Sequence, residues 1–177
     1  MSLKPISFEA FCVKTHHIWD KQWLLVTAGD FAAGHFNTMT VGWGSFGTMW
    51  GHPFAQVVIR PPRYTYEFME KYPTFTICAF PPAYKAALDL LGSRSGRHGD
   101  KIAAAGLTPV AATVVAAPAF AEADLVIECR KIYWDDFDPA HFVDPRIEDH
   151  YPRKDYHRIY YGQIVAIAGD GRYCALE

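Results

Sequence analysis

Runs rich in β-branched and aromatic residues recur along the chain, with Gly, Pro or Asp between them. Trp23 to Ala28, Phe36 to Trp43, Phe54 to Arg60, Thr74 to Phe80, Leu125 to Trp134 and Ile159 to Ile167 carry this pattern and are expected as strands. Helical periodicity is confined to short stretches: about Arg63 to Lys71, Ala83 to Leu91 with Gly92 as a C-terminal stop, and Asp100 to Ala105. Helices this few and this unevenly placed do not make a repeating βαβ series. The pattern therefore favours a mainly β (α+β) fold, an antiparallel sheet closed toward a barrel with short flanking helices. No repeat or linker divides residues 1–177, which read as one domain. Between the last two strands lies a charged, Pro-punctuated excursion, Asp135-Asp136-Phe137-Asp138-Pro139 through Arg153-Lys154-Asp155, with neither periodicity. Loops of that length in a compact domain are functional lids, partner-binding arms or disordered. Phe142, Tyr151 and Tyr156 argue that this one packs.

Composition narrows the field. With 177 residues, half of them hydrophobic, and a net charge of −2, the chain can build a real core and is not suited to nucleic acid. It holds no apolar run of the ~18 residues a membrane helix needs, and no signal-peptide core follows Met1-Ser2-Leu3-Lys4-Pro5, so a cytoplasmic site without membrane contact is expected. Cys12, Cys78, Cys129 and Cys174 form no C-x-x-C pair and read as reduced, mostly packed thiols. The eight histidines lack i, i+4 spacing and supporting carboxylates, so no metal site is expected. No Ser sits in a G-x-S-x-G elbow.

The most informative chemistry lies between Asn37 and Tyr66. Asn37-Thr38-Met39-Thr40-Val41 leads into Gly42-Trp43-Gly44-Ser45-Phe46-Gly47, then a β-branched strand ending at Arg60, then Pro61-Pro62-Arg63-Tyr64-Thr65-Tyr66. The Gly segment matches G-x-G-x-x-G literally, and Glu67 lies twenty residues on. A dinucleotide fingerprint, however, needs its third Gly to open a helix, whereas Thr48 to Pro53 leads into another strand, so these glycines are expected in a strand-to-strand turn. Pro in the first turn and Thr as a cap predict a helix starting around Pro62 to Thr65. Its free N–H groups, with the forked donors of Arg60 and Arg63, suit a phosphate. A second segment, Gly92-Ser93-Arg94-Ser95-Gly96-Arg97-His98-Gly99-Asp100-Lys101, offers hydroxyls, cations and pliable backbone to an anion. Aromatic residues, 15% of the chain, gather near the Gly-rich turns and are compatible with a flat ligand.

Together these residues resemble the flavin reductase-like family, the FMN-binding split-barrel proteins that include the flavoredoxins. The resemblance spans nearly the whole chain. It rests on five motifs in order: Asn37 to Gly44, Arg60 to Glu67, Thr74-Phe75-Thr76-Ile77, Ser95 to Lys101, and Tyr156-His157 ahead of Tyr161-Gly162-Gln163-Ile164. It implies a six-stranded antiparallel Greek-key split barrel and a homodimer with FMN, rather than FAD, near the subunit interface. It further implies that Met39, Thr40, Val41, Gly42 and Trp43 lie along the isoalloxazine ring and that Arg63 and Thr65 hold the phosphate. Ser95, Arg97 and Lys101 would close over the phosphate, with Asn37, Arg60, Tyr64 and Gly96 completing the cofactor set. His157 matches a histidine near the flavin that could position a nicotinamide ring or a proton. The implied activity is NADH- or NADPH-driven reduction of flavin, with electrons passed to a flavin, ferric, oxygen or protein acceptor. The alternatives are an FMN-bearing electron carrier without its own nicotinamide site, and a non-catalytic flavin-binding or dimer module. Where many relatives carry Ser after the strand Thr, this chain has Gly42-Trp43-Gly44-Ser45, and its 135–155 excursion is long, with contact to the other subunit as its expected role.

Overall fold

The structure, a computed structural model, describes residues 3–175. In chain order the elements are β1 (Lys4–Pro5), α1 (Thr15–His17) running into a π-helical turn at Ile18–Gln22, β2 (Leu24–Asp30), β3 (His35–Val41), β4 (Gly44–Met49) and β5 (His52–Ile59). They continue with α2 (Tyr64–Lys71), β6 (Thr74–Ala79), α3 (Lys85–Ser93), α4 (Lys101–Ala104), β7 (Pro109–Val110), β8 (Ala119–Phe120), β9 (Leu125–Asp136) and β10 (Arg158–Gly169). Seven strands run in the order β3-β2-β6-β9-β10-β5-β4 and β1 pairs with β10, every pairing antiparallel. The class is the expected split barrel.

The sheet has eight strands rather than six. The six expected strands are β2, β3, β5, β6, β9 and β10. Of the two additions, β1 is only two residues long, and β4 carries Gly44 and Gly47 with no buried residue to produce an alternation. The glycines expected in a turn therefore lie mostly in β4. The reversal falls instead at Trp50-Gly51, whose φ of 52° and 73° make a two-residue turn between the paired Met49 and His52.

Alternation along β2 shows how the core divides. Leu24, Val26 and Ala28 join Met39, Val41, Ile77 and Ile127 inside the barrel. Leu25 turns the other way, toward Cys78, Phe80 and the α3 residues Leu88 and Leu91. Both faces of this strand are thus covered, as its near-continuous apolar run requires. Where β10 crosses Phe75, the register slips at Tyr161/Gly162, and a Cβ on Gly162 would stand 2.4 Å from Phe75 Cζ. Only glycine fits that approach.

Two features prepare a site. β3 ends the sheet, so its outer backbone edge has no strand partner among the described residues, and α3 packs against this strand. Gly92 does not stop α3, as expected, but lies inside it, because a Cβ there would meet Thr40 Cβ at 3.1 Å and the missing side chain lets helix and strand close up. α2 starts at Tyr64, with Arg63 as its N-cap residue after a turn closed by Arg63 N–H to Arg60 O at 3.0 Å. All four cysteines are free thiols; Cys78 and Cys129 are buried, Cys174 is half-buried and Cys12 exposed.

Candidate functional site

The site is built where the start of α2, the end of α3 and the free edge of β3 converge. Helix C-termini leave carbonyls unpaired, and at the end of α3 two cations answer them. Arg63 donates to Gly92 O, and Lys101 Nζ donates to Leu91 O at 2.9 Å and Arg94 O at 3.0 Å. Lys101 is only 6% exposed. Burial, and then the neighbouring charge of Arg63, pull its ammonium down to about 8. The Arg63 guanidinium is pulled down by burial first and by Arg60 second. Neither Arg63 nor Lys101 forms an ion pair with a carboxylate among the described residues. Two adjacent cations, one buried and one half-buried, left facing carbonyl dipoles alone constitute an electrostatic deficit that a dianion would relieve.

Around this pair the remaining residues are fitted closely. Asn37 Nδ2 donates to Thr65 Oγ1 at 2.7 Å, and both side chains are buried. A Cβ on Gly96 would lie 2.4 Å from Asn37 Oδ1, so glycine lets the 94–100 loop close onto this pair. Ser95 accepts from Arg97 N–H at 3.2 Å, which caps the short turn Gly96–His98. Arg97 donates to Pro62 O at 3.1 Å, pairs with Glu67 and lies over the Tyr64 ring at 4.8 Å. Thr40 gives its hydroxyl proton to Leu88 O, and Met39 and Val41 point into the barrel core. These three therefore offer a ligand their backbone edge rather than their side chains. A recess of about 230 Å³ lies between Thr40 on β3, Gly42 just beyond it, and Leu88, Gly92 and Ser93 on α3.

His157 sits beside Trp43, just beyond the C-terminal end of β3. Its Nδ1 is 2.7 Å from Tyr151 OH, and its ring lies 5.1 Å from that of Trp43. Burial chiefly, then Arg60, depress it to about 4, with Asp155 opposing and Arg63 adding to the depression. It is therefore a neutral imidazole near neutral pH. The 135–155 excursion forms this surround: turns at Pro139–His141 and Pro145–His150 fold it back, His150 packs edge-on to Trp43 at 5.4 Å, and Tyr151 is buried beneath Arg60 at 5.0 Å. Arg60 also donates to His150 O at 2.8 Å and faces Asp155 at 3.4 Å. Arg60 thus clamps the excursion more than it faces the α3 terminus. Tyr151 joins this surround although no cofactor motif named it, the aromatic content of the excursion being its signal; Gly92 opened the second Gly-rich segment, but its approach to Thr40 was not visible locally.

Among the described residues no cluster of His, Cys, Asp and Glu is placed to hold a metal ion, and no helix is long and apolar enough to cross a membrane.

The fold is thus a split barrel in which a buried lysine and a half-buried arginine meet beside an edge strand. The flavin reductase like domain model matches residues 20–173, and the chain belongs to that family. A search of curated proteins finds no match. Among solved structures, the chain is similar to an FMN-binding domain of a flavin reductases-like enzyme from Shewanella baltica OS155, with TM-score 0.69 and 18% identity over 96% of this chain and 78% of that one. It is similar also to flavoredoxin of Desulfovibrio vulgaris (Miyazaki F), with TM-score 0.66 and 24% identity over 91% and 75%. An NADH:FAD oxidoreductase of Streptomyces globisporus C-1027 matches with TM-score 0.61 and 15% identity over 82% and 74%.

Proposed function

We propose that this chain is an FMN-dependent oxidoreductase, driven by NADH or NADPH and passing electrons to a flavin, ferric or protein acceptor, and that it works as a homodimer. The observation that carries the reading is the pair of half-buried Arg63 and buried Lys101, with no carboxylate partner among the described residues. A phosphate monoester carries a charge of about −1.5 to −2 near neutral pH, which matches that deficit. The names of the similar structures, an FMN-binding domain and an NADH:FAD oxidoreductase, support the same class of ligand.

In this reading Arg63 and Lys101 hold the phosphate by charge-assisted hydrogen bonds, and Thr65, Asn37 and Tyr64 shape the wall beside it. The outward-facing backbone edge from Met39 through Gly42, at the end of β3, orients the ring, while Trp43 and the folded excursion shield it from water. A bound flavin supplies the two-electron and one-electron chemistry, and the protein tunes it through hydrogen bonds and local charge. His157, neutral and held by Tyr151, presents a hydrogen-bonding edge rather than a positive charge.

A second reading, an electron carrier reduced by a partner protein, draws on the cover that Tyr151 and Trp43 place over His157, where a nicotinamide would have to approach. An anaerobic absorbance spectrum with FMN, before and after NADH and then NADPH, separates the two. Bound flavin that bleaches supports the reductase, bound flavin that stays oxidised moves the assignment to the carrier, and failure to bind FMN contradicts both.

A further inference from the structure

The excursion leaves the sheet after Asp136, the last residue of β9, rejoins it at Arg158, the first of β10, and buries one phenol on the way. Tyr151 is 1% exposed, and its hydroxyl stands 2.7 Å from Nδ1 of His157. Much of the excursion's packing holds that ring. Arg60 lies over it at 5.0 Å and donates to the adjoining His150 O at 2.8 Å, Phe142 stacks on it at 6.0 Å and 18°, and Tyr156 meets it at 5.0 Å. At the start of the excursion, Phe137 N–H donates to His157 O at 3.0 Å. His157 is thus held twice, its backbone from one end of the excursion and its ring from the other.

The placement of protons on this pair has one solution. Burial raises the Tyr151 phenol, which therefore keeps its proton, and His157, depressed to about 4, is a neutral imidazole near neutral pH. Either the phenol donates to Nδ1, or Nδ1–H donates to the phenol oxygen. The second arrangement would strand the phenol proton, because among the described residues this buried hydroxyl has no other partner. A buried donor without an acceptor is the costlier state. With Nδ1 accepting, the ring proton sits on Nε2. That nitrogen has no partner among the described residues, and its ring stands 5.1 Å from that of Trp43, just past the end of β3.

We propose that Tyr151 is a positioning residue that fixes His157 in its Nε2–H form, so that the imidazole offers a neutral hydrogen-bond donor to an acceptor atom of the bound cofactor, and that the excursion serves to deliver this phenol. The donor role rests on the flavin reading given above; the tautomer does not.

Two-bond proton–nitrogen correlation spectra of the isotope-labelled full chain near neutral pH, without FMN and then with it, test the proposal, with His157→Gln to identify the signals. The expected result without FMN is a single His157 tautomer, Nδ1 resonating as an unprotonated nitrogen and Nε2 as a protonated one. Tyr151→Phe keeps the ring beneath Arg60 and removes only the hydroxyl. In that variant both nitrogens should move toward the averaged positions of exchanging tautomers, a change that loss of packing alone would not produce. With saturating FMN, the wild-type Nε2–H proton should shift downfield as it finds an acceptor. A wild-type proton on Nδ1, or an Nε2–H form that persists undiminished in Tyr151→Phe, would overturn the positioning role; if Tyr151→Phe does not fold, the wild-type tautomer decides. His157 signals unmoved by bound FMN would overturn the donor role. Failure of FMN to bind would instead refute the function proposed above and leave the tautomer result standing, so the two failures are distinguishable.

Discussion

Lys101 makes FMN affinity depend on pH in a calculable way. Its ammonium titrates at about 8 in the ligand-free protein because burial and Arg63 oppose its charge. A phosphate against it would remove that opposition and return it toward the ordinary lysine value of ~10.4. The phosphate itself, with a second pKa of ~6, stays dianionic at higher pH. At about pH 7 the lysine is charged with or without ligand; at about pH 9 the free site is ~90% neutral, so binding must take up a proton. Proton linkage then weakens the FMN dissociation constant ~10-fold across that interval, or ~1.4 kcal/mol. The sign reverses for the ligand-free fold: with its folded pKa depressed, Lys101 penalises the fold while charged, so this contribution to stability rises from about pH 8 toward ~10.4. The assay is calorimetric titration of FMN at several pH values in two buffers of different ionisation enthalpy, with riboflavin as control. Lys101→Met should bind more weakly and lose the slope. A wild-type affinity flat over this interval, or a slope that survives in Lys101→Met, would refute the reasoning.

Other expectations follow from single contacts. Gly162→Ala places a Cβ 2.4 Å from Phe75 Cζ and 2.8 Å from Cys129 Cβ; overpacking of this kind costs ~1–3 kcal/mol, and an unchanged melting temperature would contradict it. Glu128, 3% exposed, accepts from the N–H groups of Thr113, Val114 and Val115 at 2.8, 2.6 and 2.9 Å. Glu128→Gln should cost ~1.5–3 kcal/mol and speed amide exchange at 113–115, and unaltered protection there would count against the anchor. His157, depressed to about 4, binds its proton more weakly folded than unfolded. Its contribution to stability is therefore full above the unfolded pKa of ~6.5 and is lost as pH falls toward 4. Reduction by NADH should accordingly show no His157 titration near neutrality, and a step near pH 6.5 that vanishes in His157→Gln would sink this.

What could be read from the chain follows its physics. β2, β3, β5, β6, β9 and β10 announce themselves because each buries a regular set of apolar or β-branched residues. β4 does not, since Gly44 and Gly47 give it no buried face and pairing with β5 holds it. Gly92 carries the same local signature as a helix stop, and only its approach to Thr40 across the fold makes it an interior residue. The cations Arg63 and Lys101 were visible as cations. That both would turn to the carbonyls ending α3, with no carboxylate between them, depends on how three elements meet, which no local spacing encodes. The excursion was legible as packed through Phe142, Tyr151 and Tyr156, but its cover over His157 depends on Arg60, ninety residues from His150 in the chain.

The most direct test of the site compares FMN with riboflavin, which differ only in the phosphate, on wild type and on Arg63→Met. A charge-assisted hydrogen bond is worth ~1.5–3 kcal/mol, so FMN should bind wild type at least ~10-fold more tightly than riboflavin, and Arg63→Met should lower FMN affinity by ~10- to 150-fold while leaving riboflavin unchanged. Equal affinities for FMN and riboflavin in wild type, or equal losses of both in the variant, would show that the Arg63–Lys101 pair does not hold a phosphate.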